Sequence, residues 1–271
     1  MSAFLKERPY HVITGFFFGI LTLWWIIVQA PVATAEQRSI FAAVYGLIAL
    51  WGAFWGYQTA KEWGGFQSVF GKAILCFAGG LLSQEFGQLA YSYYSYVLHV
   101  EIPYPSIGDL GFFGSIPLYI CGMLFLARAL RAQLGSSTLK NRFQVLLYPI
   151  LLLSASYYLF LRGYELDLTA PIKTLIDLGN PFGQAIYISL ALLVYIRSFK
   201  FLGGIMRSRI ILLLIAFLLQ YLADFTFLYQ NSIGVWEGGR INDYIYLTAY
   251  MMMTIAVLEL RLVNQRLRKS T

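Results

Sequence analysis

Charged side chains are what this sequence has least of: Asp, Glu, Lys and Arg make up 12% of its 271 residues, where a soluble domain carries about 25%. So few charges cannot coat a water-facing surface, which excludes a soluble enzyme, a disordered regulator and a disulfide scaffold. Cysteine is nearly absent. Cys76 and Cys121 both lie in apolar runs without CxxC or Cys/His spacing, which predicts core or lipid-facing thiols rather than a redox or zinc site. The two histidines, His11 and His99, fall at opposite ends of apolar segments and cannot share a metal or haem. There is no nucleophile elbow, HExxH pair, phosphate-binding loop or retinal-bearing lysine in the last apolar segment. Linkers rich in Gly, Ser or Pro are missing as well, so nothing divides the chain into domains.

What is present is apolar: 59% of residues are hydrophobic and the mean hydropathy is +0.64. A helix needs about 20 apolar residues to cross hydrocarbon, and eight segments approach that length, at 12–33, 39–60, 73–98, 110–127, 143–161, 178–196, 210–230 and 241–260. The expected fold is all-α, a polytopic membrane bundle of eight transmembrane helices forming a single domain over 1–271. Placing the N-terminus inside puts sixteen Lys and Arg, from Lys6 and Arg8 to Arg268 and Lys269, on the inner side and only Arg38, Arg162, Lys173 and Arg240 on the outer. Short cytoplasmic loops retain cations, so both termini are expected in the cytoplasm and the chain in the cell membrane as a multi-pass protein. The first segment could be read as a secretory signal, because Ala33-Thr34-Ala35 has the small-x-small form of a cleavage site. It exceeds the roughly 7–15-residue core of such a signal and carries Trp24 and Trp25, so it is read as a retained span.

Subtracting the acids leaves the inner side at +13 and the outer at −4, with Glu85 and Asp224 as the two acids well inside spans. The formal net charge of +7 therefore belongs to the cytoplasmic face. Topology and attraction to anionic lipid account for it, and nucleic acid is not an expected partner.

Carboxylates are costly in hydrocarbon and normally face a bundle interior, a cavity or a partner. Glu85 lies near the middle of the third span, with Gln84, Gln88, Ser92 and Ser95 sharing part of its helical face; Asp224 follows Gln220 by one turn in the seventh. Alternating span direction brings Asp109, Asp177 and Asp243 to a similar outer depth. The expectation is an outward-facing pocket built from Asp109, Asp224 and Asp243, with Glu85, Ser106, Gln220 and Tyr246 as further ligand-binding candidates. Asp109 and Asp243 read equally well as caps at helix starts, where a carboxylate accepts backbone N–H groups. Tyr91, Tyr93, Tyr94, Tyr96 and Tyr104, and Tyr244, Tyr246 and Tyr250, form two outer clusters that a membrane interface explains, although aromatic faces also attract organic cations. Two GxxxG pairs, Gly15/Gly19 and Gly52/Gly56, permit close helix approach but arise readily by chance in a glycine-rich chain.

The most specific stretch is Pro103-Tyr104-Pro105-Ser106-Ile107-Gly108-Asp109, followed by Phe112, Phe113, Pro117, Leu118, Tyr119 and Gly122. Together with Asp177, Gly179 and Asn180, and with Leu222-Ala223-Asp224, Tyr229, Gly239, Asp243 and Tyr250, it resembles the multi-spanning N-terminal membrane sensor modules of prokaryotic diguanylate cyclases and sensor histidine kinases. The resemblance covers the third to eighth spans through motif anchors and implies a membrane signal-input module without an output domain. Residue by residue, the two prolines force an extended entry, Ser106 and Asp109 cap the fourth span, and Pro117 is expected to bend it.

These readings lead to a stand-alone sensor or receptor-like membrane protein that binds a small ligand or cation in the acidic pocket. It would signal through the last two spans to a separate cytoplasmic kinase or cyclase, and it is more readily a receptor than an enzyme. Three alternatives stand beside it: a lysoplasmalogenase-like lipid hydrolase, a proton- or cation-coupled transporter, and a structural subunit of a membrane complex. Homo-oligomerisation is compatible with each. No metal or cofactor is named by the sequence.

Overall fold

The computed structural model describes residues 8–130, 139–158, 169–197 and 205–270. Lys6, Arg131, Arg162, Glu165, Asp167, Lys200 and the last three residues of the expected fifth span lie outside them. Every regular element among the described residues is helical: α1 (Pro9–Val28), α2 (Ala35–Val44), α3 (Leu47–Glu62), α4 (Val69–Tyr93), α5 (Ile107–Ala129), α6 (Leu139–Ser156), α7 (Pro171–Arg197), α8 (Arg207–Ser232) and α9 (Ile241–Ser270), with a short 3₁₀ turn at Gly65–Gln67 and a wider π-turn at Tyr94–Leu98 that prolongs α4. Seven helical stretches are long and apolar enough to cross a membrane, with α2 and α3 counting as one, Ala35–Glu62. The chain is an all-helical, multi-pass membrane bundle. α6 occupies the position of the expected fifth span without being one of the seven.

The helix starts follow local chemistry. Pro9 opens α1 and Pro171 is the first residue of α7, where a missing N–H costs nothing. Thr34 and Gln37 form a reciprocal capping box on α2, Ser106 and Asp109 form another on α5, and the Ser68 side chain caps α4. α7 begins seven residues before the 178 expected from hydropathy, so Asp177 lies inside the helix rather than ahead of it. At the far end, α9 runs unbroken from Ile241 through the basic tail to Ser270.

Six helices close a circuit, each packed on the next: α3 on α4, α4 on α5, α5 on α7, α7 on α8, α8 on α9 and α9 back on α3. α1 packs outside this ring against α9, and α6 outside it against α7. Only 17% of the α1 span is buried, and its Phe16, Leu23 and Ile27 face outward, as lipid-facing positions should. In lipid there is little hydrophobic drive between helices, so small residues that allow close approach set the interfaces. α4 and α5 meet in this way, Gly87 against Gly108 and Gly111, and Gly80 and Gly122 against the rings of Tyr119 and Phe77. Of the two GxxxG pairs, Gly52/Gly56 lies against α9 and α4, with Thr254 and Ala78 in the space a methyl would take, whereas Gly15/Gly19 faces open space.

The middle of the ring is filled by aromatic side chains. Phe77, Tyr119, Tyr187 and Phe217, from α4, α5, α7 and α8, meet at centroid distances of 4.5–6.3 Å. At one end, here the basic end, Glu259 bonds Arg8 and, at 2.5 Å, Arg209, with His11 at 3.3 Å. Close by, Arg261 pairs with Glu62 at 2.6 Å and lies over the rings of Tyr10 and Trp55. These contacts tie the cationic part of α9 to α1, α3 and α8. The opposite end of the ring is open.

Candidate functional site

The open end holds a cavity of about 910 Å³, its mouth included. Every helix of the ring except α3 contributes to its wall, and α2, the 94–104 segment and the 233–240 loop complete it. Asp109, Asp224 and Asp243, the three acids expected to share a pocket, all line it, and among the described residues no lysine or arginine does.

Asp109 occupies the first turn of α5 and is 4% exposed. One carboxylate oxygen accepts the Tyr91 hydroxyl at 2.8 Å, and the other accepts the Ser106 backbone N–H at 2.6 Å and the Ser106 hydroxyl at 2.9 Å. Capping and pocket lining are thus both true of this residue. Ser106 serves the helix start and is not part of the wall. Gly108 follows because Tyr91 packs where a side chain there would stand.

Asp243 sits in the first turn of α9, 4% exposed, and accepts the Gly239 N–H at 2.5 Å. Gly239 has φ +78 and presses on the backbone of Arg38. A left-handed residue without a side chain is what lets the 233–240 loop turn back onto both α2 and the carboxylate.

Asp224 has no helix end to serve. It lies well inside α8, and its oxygens accept donors from three helices: Tyr246 of α9 at 2.5 Å, Gln184 of α7 at 2.5 Å and Gln220 of α8 at 3.0 Å. Tyr246 lines the cavity, while Gln220 supports Asp224 from behind the wall. Beside it Asn242, 1% exposed, donates its amide to the Ala223 carbonyl at 2.6 Å. That bond fixes which end of the amide is the donor, and it leaves the buried Oδ1, on a lining residue, without a partner.

Glu85 is placed elsewhere. It is 1% exposed and does not line the cavity. Its Oε2, buried and without a partner, lies where a methyl on Gly46 would stand. Gly46 is where the expected second span breaks: α2 ends at Val44 and α3 begins at Leu47. The Ala42 carbonyl, which a continuous helix would offer to Gly46, instead accepts the Gln88 amide. Gln88 also accepts the Tyr45 hydroxyl at 3.0 Å, and both residues line the cavity. α5 continues through Pro117, and the wall residues Asp109 and Phe112 lie between one and a little over two turns before it.

Several wall residues were not expected. Tyr104, in the segment entering α5, donates its hydroxyl to Asp177 of α7, and burial together with that carboxylate raises its pKa well above the ordinary tyrosine value, which keeps it a donor. Asn180, on the wall, and Gln184, which holds Asp224 without lining the cavity, were not singled out as site residues, although Asp177, Asn180 and Gln184 recur at spacings of three and four and so share one face of α7. Trp236, Phe112 and Phe227 complete an aromatic wall with Tyr45, Tyr91 and Tyr246. The interface explanation suits Tyr93, which is 53% exposed, but not Tyr91, Tyr96, Tyr104 and Tyr246, which turn to the cavity.

Among the described residues no group of three or more His, Cys, Asp or Glu side chains is arranged to hold a metal ion. Comparison with protein-family models, with curated proteins and with solved structures found no match.

Proposed function

We propose that this chain is a receptor-like membrane protein of the cell membrane, with eight spans and both termini cytoplasmic, that takes up a small ligand in the cavity between Asp109, Asp224 and Asp243. The observation that carries the reading is Asp224, a carboxylate held inside a membrane helix by three side-chain donors on the wall of a cavity lined by two further carboxylates. The positive-inside pattern puts the cavity on the outer face, and the resemblance to sensor modules rests on its motif residues. Asp109, Tyr104, Asp224, Gly239 and Asp243, all in that motif, are cavity or cavity-supporting residues here. Signal passes along α8 and α9, which carry Asp224 and Asp243 at the cavity and Arg209 and Glu259 at the basic end, to a separate cytoplasmic kinase or cyclase.

The test is a thermal-stability screen of purified protein against cations and small metabolites, run on the native chain and on Asp109→Asn and Asp224→Asn. A ligand that raises the midpoint of the native chain and fails with either variant supports the reading. A screen in which native and variant proteins respond alike removes it.

A second reading, a proton- or cation-coupled transporter, is favoured by one observation. The break at Tyr45–Gly46 faces the buried Glu85, and broken helices beside buried acids are a feature of secondary transporters. Flux into proteoliposomes that Glu85→Gln abolishes would move the assignment to this class.

A further inference from the structure

The cavity's chemistry narrows its ligand, if the reading of it as a binding site holds. We propose that the ligand is an organic ammonium ion, an amine or quaternary ammonium of molecular size, held by the charge of Asp224, Asp109 and Asp243, the free carbonyl of Asn242 and the aromatic wall.

Four observations converge. Three carboxylates line the cavity and, among the described residues, no lysine or arginine does, so the site favours a cation. A bare metal ion does not suit it. Ca²⁺ requires about six to eight oxygens converging at roughly 2.3–2.6 Å, whereas the oxygens of Asp109 and Asp224 already accept fixed donors from Tyr91, Ser106, Tyr246, Gln184 and Gln220. These acids contribute long-range potential rather than coordination. Third, the remaining wall is aromatic, including Tyr45, Tyr91, Phe112, Phe227, Trp236 and Tyr246, and ring faces attract a cation whose charge is spread over carbon-bearing nitrogen. Fourth, the Asn242 Oδ1 is buried and unpartnered on a residue of the wall. An ammonium N–H supplies the donor it lacks, and a buried acceptor left unmade is costly.

An ammonium group reaches such a site either free in solution or on a lipid headgroup, and the chemistry is shared. The experiment uses the full-length protein in nanodiscs of phosphatidylglycerol, which carries no ammonium. Tryptophan fluorescence, to which Trp236 in the wall contributes, is titrated with tetramethylammonium, butylammonium, lysophosphatidylcholine, lysophosphatidylglycerol, NaCl and CaCl₂ at constant ionic strength. The expected result is saturable binding of ammonium-bearing probes, no saturation with the other three, and at least tenfold weaker binding in Asp224→Asn. Asn242→Leu should weaken butylammonium, which has N–H groups to give, and spare tetramethylammonium, which has none. Trp236→Leu should weaken both. Saturation by the two small ions places the source in solution; saturation by lysophosphatidylcholine alone places it on a lipid; either supports the ammonium chemistry.

Two outcomes overturn it. If Na⁺ or Ca²⁺ saturates, the ammonium probes do not, and Asp224→Asn abolishes the response, the cavity binds cations but the ligand class is wrong. If nothing saturates, or every response is indifferent to Asp224→Asn, both the class and the cavity reading fall. The wild-type probe series decides the class without any variant, so a variant that fails to fold does not rescue the proposal.

Discussion

Asp224 is the residue on which the site turns, because its carboxylate is the meeting point of α7, α8 and α9. Replacing it with leucine strands the donors of Tyr246, Gln184 and Gln220, and a stranded buried donor costs about 1–3 kcal/mol. Asp224→Leu is therefore expected to lose at least about 2 kcal/mol in a reversible denaturant titration in detergent, while Asp224→Asn, which keeps an acceptor oxygen, loses less. Equal stability of Asp224→Leu and wild type would mean that the network is not formed. Asp224, Asp109 and Asp243 were legible in the sequence because scarcity of charge makes each intramembrane acid conspicuous and alternating spans set their depth. Their partners were less so. Gln184 meets Asp224 only through the packing of α7 on α8, which no local pattern reports, and Asn242 was hidden beside the more conspicuous Asp243.

At the scale of elements, hydropathy located the helices well and their irregularities poorly. The second expected span is broken at Tyr45–Gly46, yet no proline marks the place. The break depends on α4, whose Gln88 takes the Ala42 carbonyl and whose Glu85 fills the space beside Gly46. Gly46→Ala should accordingly lower the thermal midpoint, and Glu85→Ala in the same chain should recover most of the loss; failure of the second change to rescue would show that the contact does not shape the break. The basic end makes a separate prediction. Glu259 is the carboxylate between Arg8 and Arg209, and Arg209 is only 8% exposed, so Glu259→Gln leaves a buried cation without its counter-charge. Breaking such a pair costs about 3 kcal/mol or more, and a denaturant titration that finds less than about 1 kcal/mol would show these charges to be solvated instead. The sequence assigned the cations of this end to topology and attraction to anionic lipid. The structure gives Arg8, Arg209 and Arg261 specific acidic partners as well.

At the scale of the molecule, six of the described helices form a ring, plugged at its middle by aromatic rings, tied by ion pairs at one end and open to an acidic, aromatic cavity at the other. Helical class and membrane character followed from composition, since so little charge leaves no other surface. The closure of the ring did not, because which helices pair is decided by small-residue contacts such as Gly87 with Gly108 and Gly111, and glycine is too common here for its pairs to be read in advance. The central claim is an outward cavity that a ligand fills. It is tested most directly by labelling Ser95→Cys, an exposed residue on the cavity wall, with a membrane-impermeant maleimide in intact cells, in a chain whose Cys76 and Cys121 are replaced by alanine. The account predicts labelling without permeabilisation and at least fivefold slower labelling in saturating tetramethylammonium. Labelling only after the cells are opened, or at a rate indifferent to the ammonium ion, would contradict it.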